Sequence, residues 1–242
     1  MPRTAPVVFS CLVAGIAVAA CGGSDAGALA GKTAKQILST GVAAAEAQKS
    51  VHYVLRASGQ AQSQTITGDA GQSEGVQTVQ TGADEVEVEV VGGLAYLKGN
   101  AGGLQHTIGI PAAAATKYAG QWIAVASSDT LYGPITQAVT LHGIFTQLTP
   151  TGTLVASTPG KISGREVIGV RGGLPGKTQS GVTGDAVLYV STASSTLPIG
   201  FTGQATSSGK KVTDVGAFTH WGEPLNLVAP TGAVPYSSIP TS

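Results

Sequence analysis

Apolar residues recur along this chain in two rhythms. Between Thr33 and Ser50 they fall at Ala34, Ile37, Leu38, Gly41, Val42 and Ala45, the spacing of a helix with one buried stripe. Thr33 followed by Gln36 predicts a capping box at its start. The rhythm then changes to two. "SVHYVLRASGQAQSQTITG" predicts extended chain with turns near Gly59 and Gly68, and "VQTVQTGADEVEVEVVGGLAYLKG" predicts strands broken at Gly82 and at Gly92-Gly93. In "DEVEVEV", Val86, Val88 and Val90 share one face and Glu85, Glu87 and Glu89 the other, so the sheet has a dry and a wet side.

The segment "LQHTIGIPAAAATKYAG" is helix-prone after Pro111 and stops at Gly120, and "QWIAVAS" reads as a strand. Asp129 then caps a predicted helical region whose apolar positions are Leu131, Ile135, Leu141, Ile144, Phe145 and Leu148. Strands return in "GTLVAS", "KISGREVIGVRG" and "DAVLYVS". A further pair, "LPIGFTGQAT" and "KKVTDVGAFTHW", is joined by Ser207-Ser208-Gly209. The last stretch, rich in proline, predicts an extended tail over 231–242. Helix, antiparallel strands, helical insertion, strands: this order predicts a single α+β domain over 33–230. Its core is one curved antiparallel sheet, an unclosed β half-barrel with helices covering the concave face.

Composition sharpens the picture only in places. Charged residues are 11% and cancel to zero, which gives no electrostatic case for nucleic acid or for an anionic membrane surface. Aromatics are 5%, so Ala, Val, Leu and Ile must fill the interior. At the N-terminus, Arg3 precedes an apolar run from Val7 to Ala20, too short to span a bilayer and shaped like a secretory signal over 1–20. Val18-Ala19-Ala20-Cys21 resembles the bacterial lipobox, in which the cysteine receives a diacylglyceryl group; an ordinary cleavage site with a free thiol is the alternative. Cys11 lies inside the removable segment. The processed chain then keeps Cys21 alone, with no disulfide or cysteine metal site. Two acyl chains anchor where one binds only marginally. Residues 21–32 read as a flexible tether, and the domain faces outward from the cytoplasmic membrane, in the cell envelope.

"KSVHYVLRASG", "GGLAYLKG", "GQWIAV", "GKISGREVIGVRG", "STLPIGFTGQ" and "HWGEPLNLVAP" occur in the order found in LppX/LprG-type actinobacterial lipoproteins, relatives of the LolA/LolB half-barrels, and the chain resembles that family over roughly residues 33 to 230. The resemblance implies a monomeric carrier, not an enzyme. It implies an apolar cavity holding a lipid, lipoglycan or other amphiphile, and a membrane transporter as a possible partner. A sensor or interaction module of the same fold, without cargo, is the other reading. Alternation nominates Tyr53, Leu55, Val86, Val88, Val90, Leu94, Tyr96, Leu188, Val190 and Phe201 as cavity lining, with the helices at 103–118 and 130–148 as a lid. No cofactor is called for.

Other chemistries fit less well. Glu85, Glu87 and Glu89 read as solvated carboxylates before they read as a cation site. His52, His106, His142 and His220 lack metal-ligand spacing. Gly27–Thr33 and Gly172–Thr178 are each one residue short of a phosphate-binding loop. Ser207–Lys210 matches Ser-x-x-Lys but sits in a turn. Trp122 and Trp221 read as packing residues with satisfied indole N–H groups before they read as the lining of a pocket mouth.

Overall fold

The computed structural model describes residues 27–59, 62–175, 182–207 and 209–240. Cys21, the signal-like run and the lipobox lie outside the described residues, as does the end of the second loop-like motif at Lys177-Thr178.

Helix α1 (Ala34–Glu46) opens on the capping box: Gln36 N–H donates to Thr33 Oγ1 at 3.3 Å, and Thr33 N–H donates to Gln36 Oε1 at 2.9 Å. Ile37, Leu38, Gly41 and Ala45 of its stripe are buried. The first meander is β1 (Ser50–Ser58), β2 (Gln64–Gly71), β3 (Gly75–Thr81), β4 (Asp84–Val91) and β5 (Leu94–Gly99). A π-helical turn at Gly103–Thr107 and helix α2 (Ala112–Tyr118) lead to β6 (Ile123–Val125). Helices α3 (Tyr132–Val139) and α4 (Leu141–Leu148) follow. The second meander comprises β7 (Thr151–Ala156), β8 (Gly160–Ile162), β9 (Arg165–Gly173), β10 (Val182–Ser191), β11 (Pro198–Ser207) and β12 (Lys210–Thr219). Strand β13 (Val234–Pro235) comes last.

All belong to one sheet, ordered β13-β6-β5-β4-β3-β2-β1-β12-β11-β10-β9-β7, with β8 beside β9. Its two end strands stay apart, so the half-barrel is unclosed. Pairing is antiparallel except for β13, which runs parallel to β6. The seam is β1 against β12, where Tyr53 lies opposite Phe218. One face is lined by helices in two cores. Helices α1 and α4 pack Ile37, Leu38, Leu141, Ile144 and Phe145 onto Val51, Tyr53, Leu188, Val190 and Phe218. Residues of α2 and α3 pack onto Val86, Val88, Val90, Leu97 and Ile123.

Four local expectations change. Gly68 is not in a turn but mid-strand, opposite Tyr53; a Cβ there would sit 2.7 Å from the Tyr53 hydroxyl, so the glycine makes room for the phenol. The helical region after Asp129 is two helices, broken at Thr140, which is extended and caps α4 through its Oγ1. Within the stretch expected as a tether, Gly27–Gly31 forms a turn and Leu29 is buried. The tail is not loose: Val234 pairs with Ile123, and Ile239 is buried in the second core.

Candidate functional site

The face toward the helices holds one apolar hollow among the strands of the seam. A cavity of about 320 Å³ lies between the ends of β1, β2, β11 and β12 and the C-terminus of α4. Leu55, Ile66, Leu148, Leu174, Pro175 and Phe201 form its apolar walls, and Arg56, Gln64, Gln147 and Asp214 bring polar atoms to it. Register explains the space. Ala57, Asp214 and Gly203 lie side by side on three neighbouring strands, so two of the three inward positions carry almost no side chain. The Phe201 ring leans over Gly203, where a Cβ would come within 3.3 Å of it. One register step away, a Cβ at Gly216 would meet Leu55 at 2.6 Å, so that glycine seats the cavity wall. Burial against these walls pushes the Asp214 carboxyl above its ordinary range.

The nominated lining residues divide. Leu55 and Phe201 border the cavity. Tyr53, Val86, Val88, Val90, Leu188 and Val190 face the helices but are sealed in the two cores. Tyr53 donates to Gln77 Oε1 at 2.7 Å, and burial holds its phenol well above the usual tyrosine range. Leu94 and Tyr96 point the other way: the Gly92-Gly93 turn pairs Val90 with Ala95, which puts Ala95 and Leu97 on the dry face instead. Ile66, Leu148, Asp214 and the small residues Ala57 and Gly203 were missed. Their signal lies in strand pairing between segments distant in sequence.

The outer face is not uniformly wet. Glu87 is half-exposed and meets Lys98 at 3.6 Å, but Glu89, flanked by Val76 and Tyr96, is 7% exposed with Oε1 unpartnered. Burial first, and Glu87 second, raise its pKa. Three histidines bond separate carboxylates: His52 to Asp69 at 2.8 Å, His106 to Asp84 at 2.7 Å and His142 to Glu46 at 2.8 Å. His220 lies edge-on to His52 and contacts the Thr219 hydroxyl. Trp122 lies beneath the Lys98 ammonium, 5.0 Å away. Trp221 stacks on Phe145, and its buried indole N–H has no partner, contrary to the satisfied group expected.

At the opposite end of the same strands two further cavities flank Gly27. One, of about 550 Å³, is bordered by Trp221, Leu197, Ile199 and Arg165; the other, of about 410 Å³, by Leu29, Ile37, Ile168, Lys32 and Lys161.

An open antiparallel half-barrel, helices on one face and a small apolar cavity under them define the fold class. Among solved structures the chain is similar to LprF from Mycobacterium bovis: TM-score 0.53, 15% identity, covering 82% of this chain and 97% of that one. The Mycobacterium tuberculosis lipoprotein LppX also matches, with TM-score 0.47 and 13% identity over 79% of this chain and 98% of its own. At these identities the likeness is one of fold. No protein-family model matches the chain, and neither does any curated protein.

Proposed function

We propose that this chain is a lipid-anchored envelope protein that binds the hydrocarbon tail of an amphiphile in the cavity beneath α4, and that it is not an enzyme. The observation that carries the reading is the cavity itself, apolar on its walls and placed between sheet and helix. Its fold is shared with LprF, and the motif order of the LppX/LprG-type lipoproteins points the same way. At about 320 Å³ it falls at the lower end of the ~300–1,000 Å³ usual for small-molecule sites. It suits one hydrocarbon segment, not several chains together. Each methylene kept from water is worth ~0.8 kcal/mol in cavity and bilayer alike, so exchange between the two is close to neutral and reversible. The anchor is the diacylglyceryl group on Cys21, at the outer face of the cytoplasmic membrane.

Titration with a fluorescent fatty acid tests this. Wild-type protein takes up the probe with saturable, one-to-one stoichiometry. Ala57→Leu and Gly203→Val, which fill the hollow, reduce affinity at least tenfold while the circular dichroism spectrum stays unchanged. No uptake by the wild type, or uptake indifferent to both substitutions, overturns the reading and leaves an interaction module of the same fold.

A further inference from the structure

Net charge is zero, and exposed cations stand at both ends of the half-barrel, Lys210 and Lys211 among them at the far hairpin. Strands β9 to β12 are antiparallel, so the start of β9, the end of β10, the start of β11 and the end of β12 share one end of the half-barrel. The apolar cavity lies at the other end, near Leu174, Gly203 and Asp214. The end with Gly27 carries Lys32, Lys161 and Arg165, all exposed, around the two cavities that Gly27 borders. Among the described residues none of the three forms an ion pair, and neither do Lys210 and Lys211 at the far hairpin, so it is the anchor's position and not pairing that distinguishes this end. One acidic group, Glu166, lies among them. Beneath Lys32 and Lys161 the cavity floor is apolar, with Leu29, Ile37 and Ile168.

Chain length says what this end meets. Gly27 lies six positions after Cys21, a reach of at most ~21 Å when fully extended. Strand β9, with nine residues, is ~30 Å long at 3.3 Å per residue. An anchor on Cys21 therefore holds the Gly27 end against the bilayer, with the opposite end and its cavity a full strand length further away.

We infer that the Gly27 end is a membrane-docking face, on which Lys32, Lys161 and Arg165 engage the headgroups of anionic phospholipids. The inference rests on the anchor reading for its orientation, and the charges do the rest. A basic side chain at an anionic surface strengthens partition about fivefold, so three together give on the order of a hundredfold. The effect fades as salt shortens the screening length. The anchor supplies attachment, and the three cations fix which end faces the lipid.

Hydrogen exchange of the full-length chain on vesicles of pure phosphatidylcholine, and of phosphatidylcholine with one third phosphatidylglycerol, tests this. On the anionic vesicles exchange slows at least fivefold in Lys32–Ile37 and Gly160–Glu166, and 0.5 M salt abolishes the protection. The triple variant K32Q/K161Q/R165Q loses it, while K210Q/K211Q, at the far hairpin, keeps it. Equal exchange on both vesicles, with protein bound to both, overturns the docking face and leaves the anchor standing. Protection of the β11–β12 hairpin instead overturns it also. Binding to anionic vesicles alone upholds the face and refutes the anchor. Binding to neither refutes both.

Discussion

Asp214 is the residue on which the cavity's behaviour turns. It projects between Ala57 and Gly203 into an apolar hollow, where its charged form is disfavoured. A carboxyl raised in the folded state binds its proton more tightly there than in the unfolded chain. Its contribution to stability is therefore full at low pH and is lost as pH rises through the folded-state value. A hydrocarbon ligand adds to the same desolvation, so binding of a neutral apolar probe tightens as pH falls from neutrality into the carboxylate range. Asp214→Asn binds severalfold more tightly than wild type at pH 7 and shows a flat pH profile. Fluorescence titration across pH checks both, and an unchanged slope in the variant assigns the pH response elsewhere. The alternation in "DEVEVEV" correctly separates Val86, Val88 and Val90 from their glutamates, because a strand's period is local. It does not show that Glu89 is buried, since that depends on what crosses the outer face.

At the scale of elements, glycines permit two close approaches, one between helices and one between a helix and the sheet. A Cβ at Gly143 in α4 would come within 2.2 Å of the Gln137 carbonyl oxygen in α3, whereas one at Gly41 in α1 would meet the Val190 side chain at 2.7 Å. A side chain can yield and a backbone cannot. Gly143→Ala is expected to cost about 2–3 kcal/mol by forcing α3 from α4. Gly41→Ala should cost less, because the Val190 side chain it meets can shift, while the gain of about 1 kcal/mol in helix propensity is common to both. Urea unfolding of the two variants ranks them. These contacts also mark the limit of sequence reading. The stripe and capping box of α1 are legible because both are set within one or two turns. The break at Thr140 is not, since Gly71 forms a bridge with Thr140 from the distant β2. Gly68 misleads for the same reason: a glycine that clears space for Tyr53 across a strand pair looks like a turn until the pairing is known.

For the molecule as a whole, the C-terminal segment is a strap. After β12 it crosses the outer face, where Leu225 Cδ1 would lie 3.0 Å from a Cβ at Gly71 and Leu227 borders a small cavity with Val76. It then joins the far edge of the sheet, beyond β6. Ile239, 4% exposed, pins its end. Ile239→Ala is expected to cost about 2–4 kcal/mol. It should also raise hydrogen exchange in β6 ahead of the seam strands, and uniform loosening would contradict the strap. Proline-rich composition predicts an extended tail. It says nothing about docking, because the docking groove is built by residues more than a hundred positions earlier.

The seam and the strap have an outcome during synthesis. Strand β1 waits for β12, and β6 waits for β13, so neither pairing forms until the C-terminal part of the chain has emerged. Contacts so remote along the chain make folding slow. A polypeptide delivered from its first residue onward thus spends its whole passage unsealed. Each meander can pair locally before then, so what the last strands add is the joining of two preformed walls.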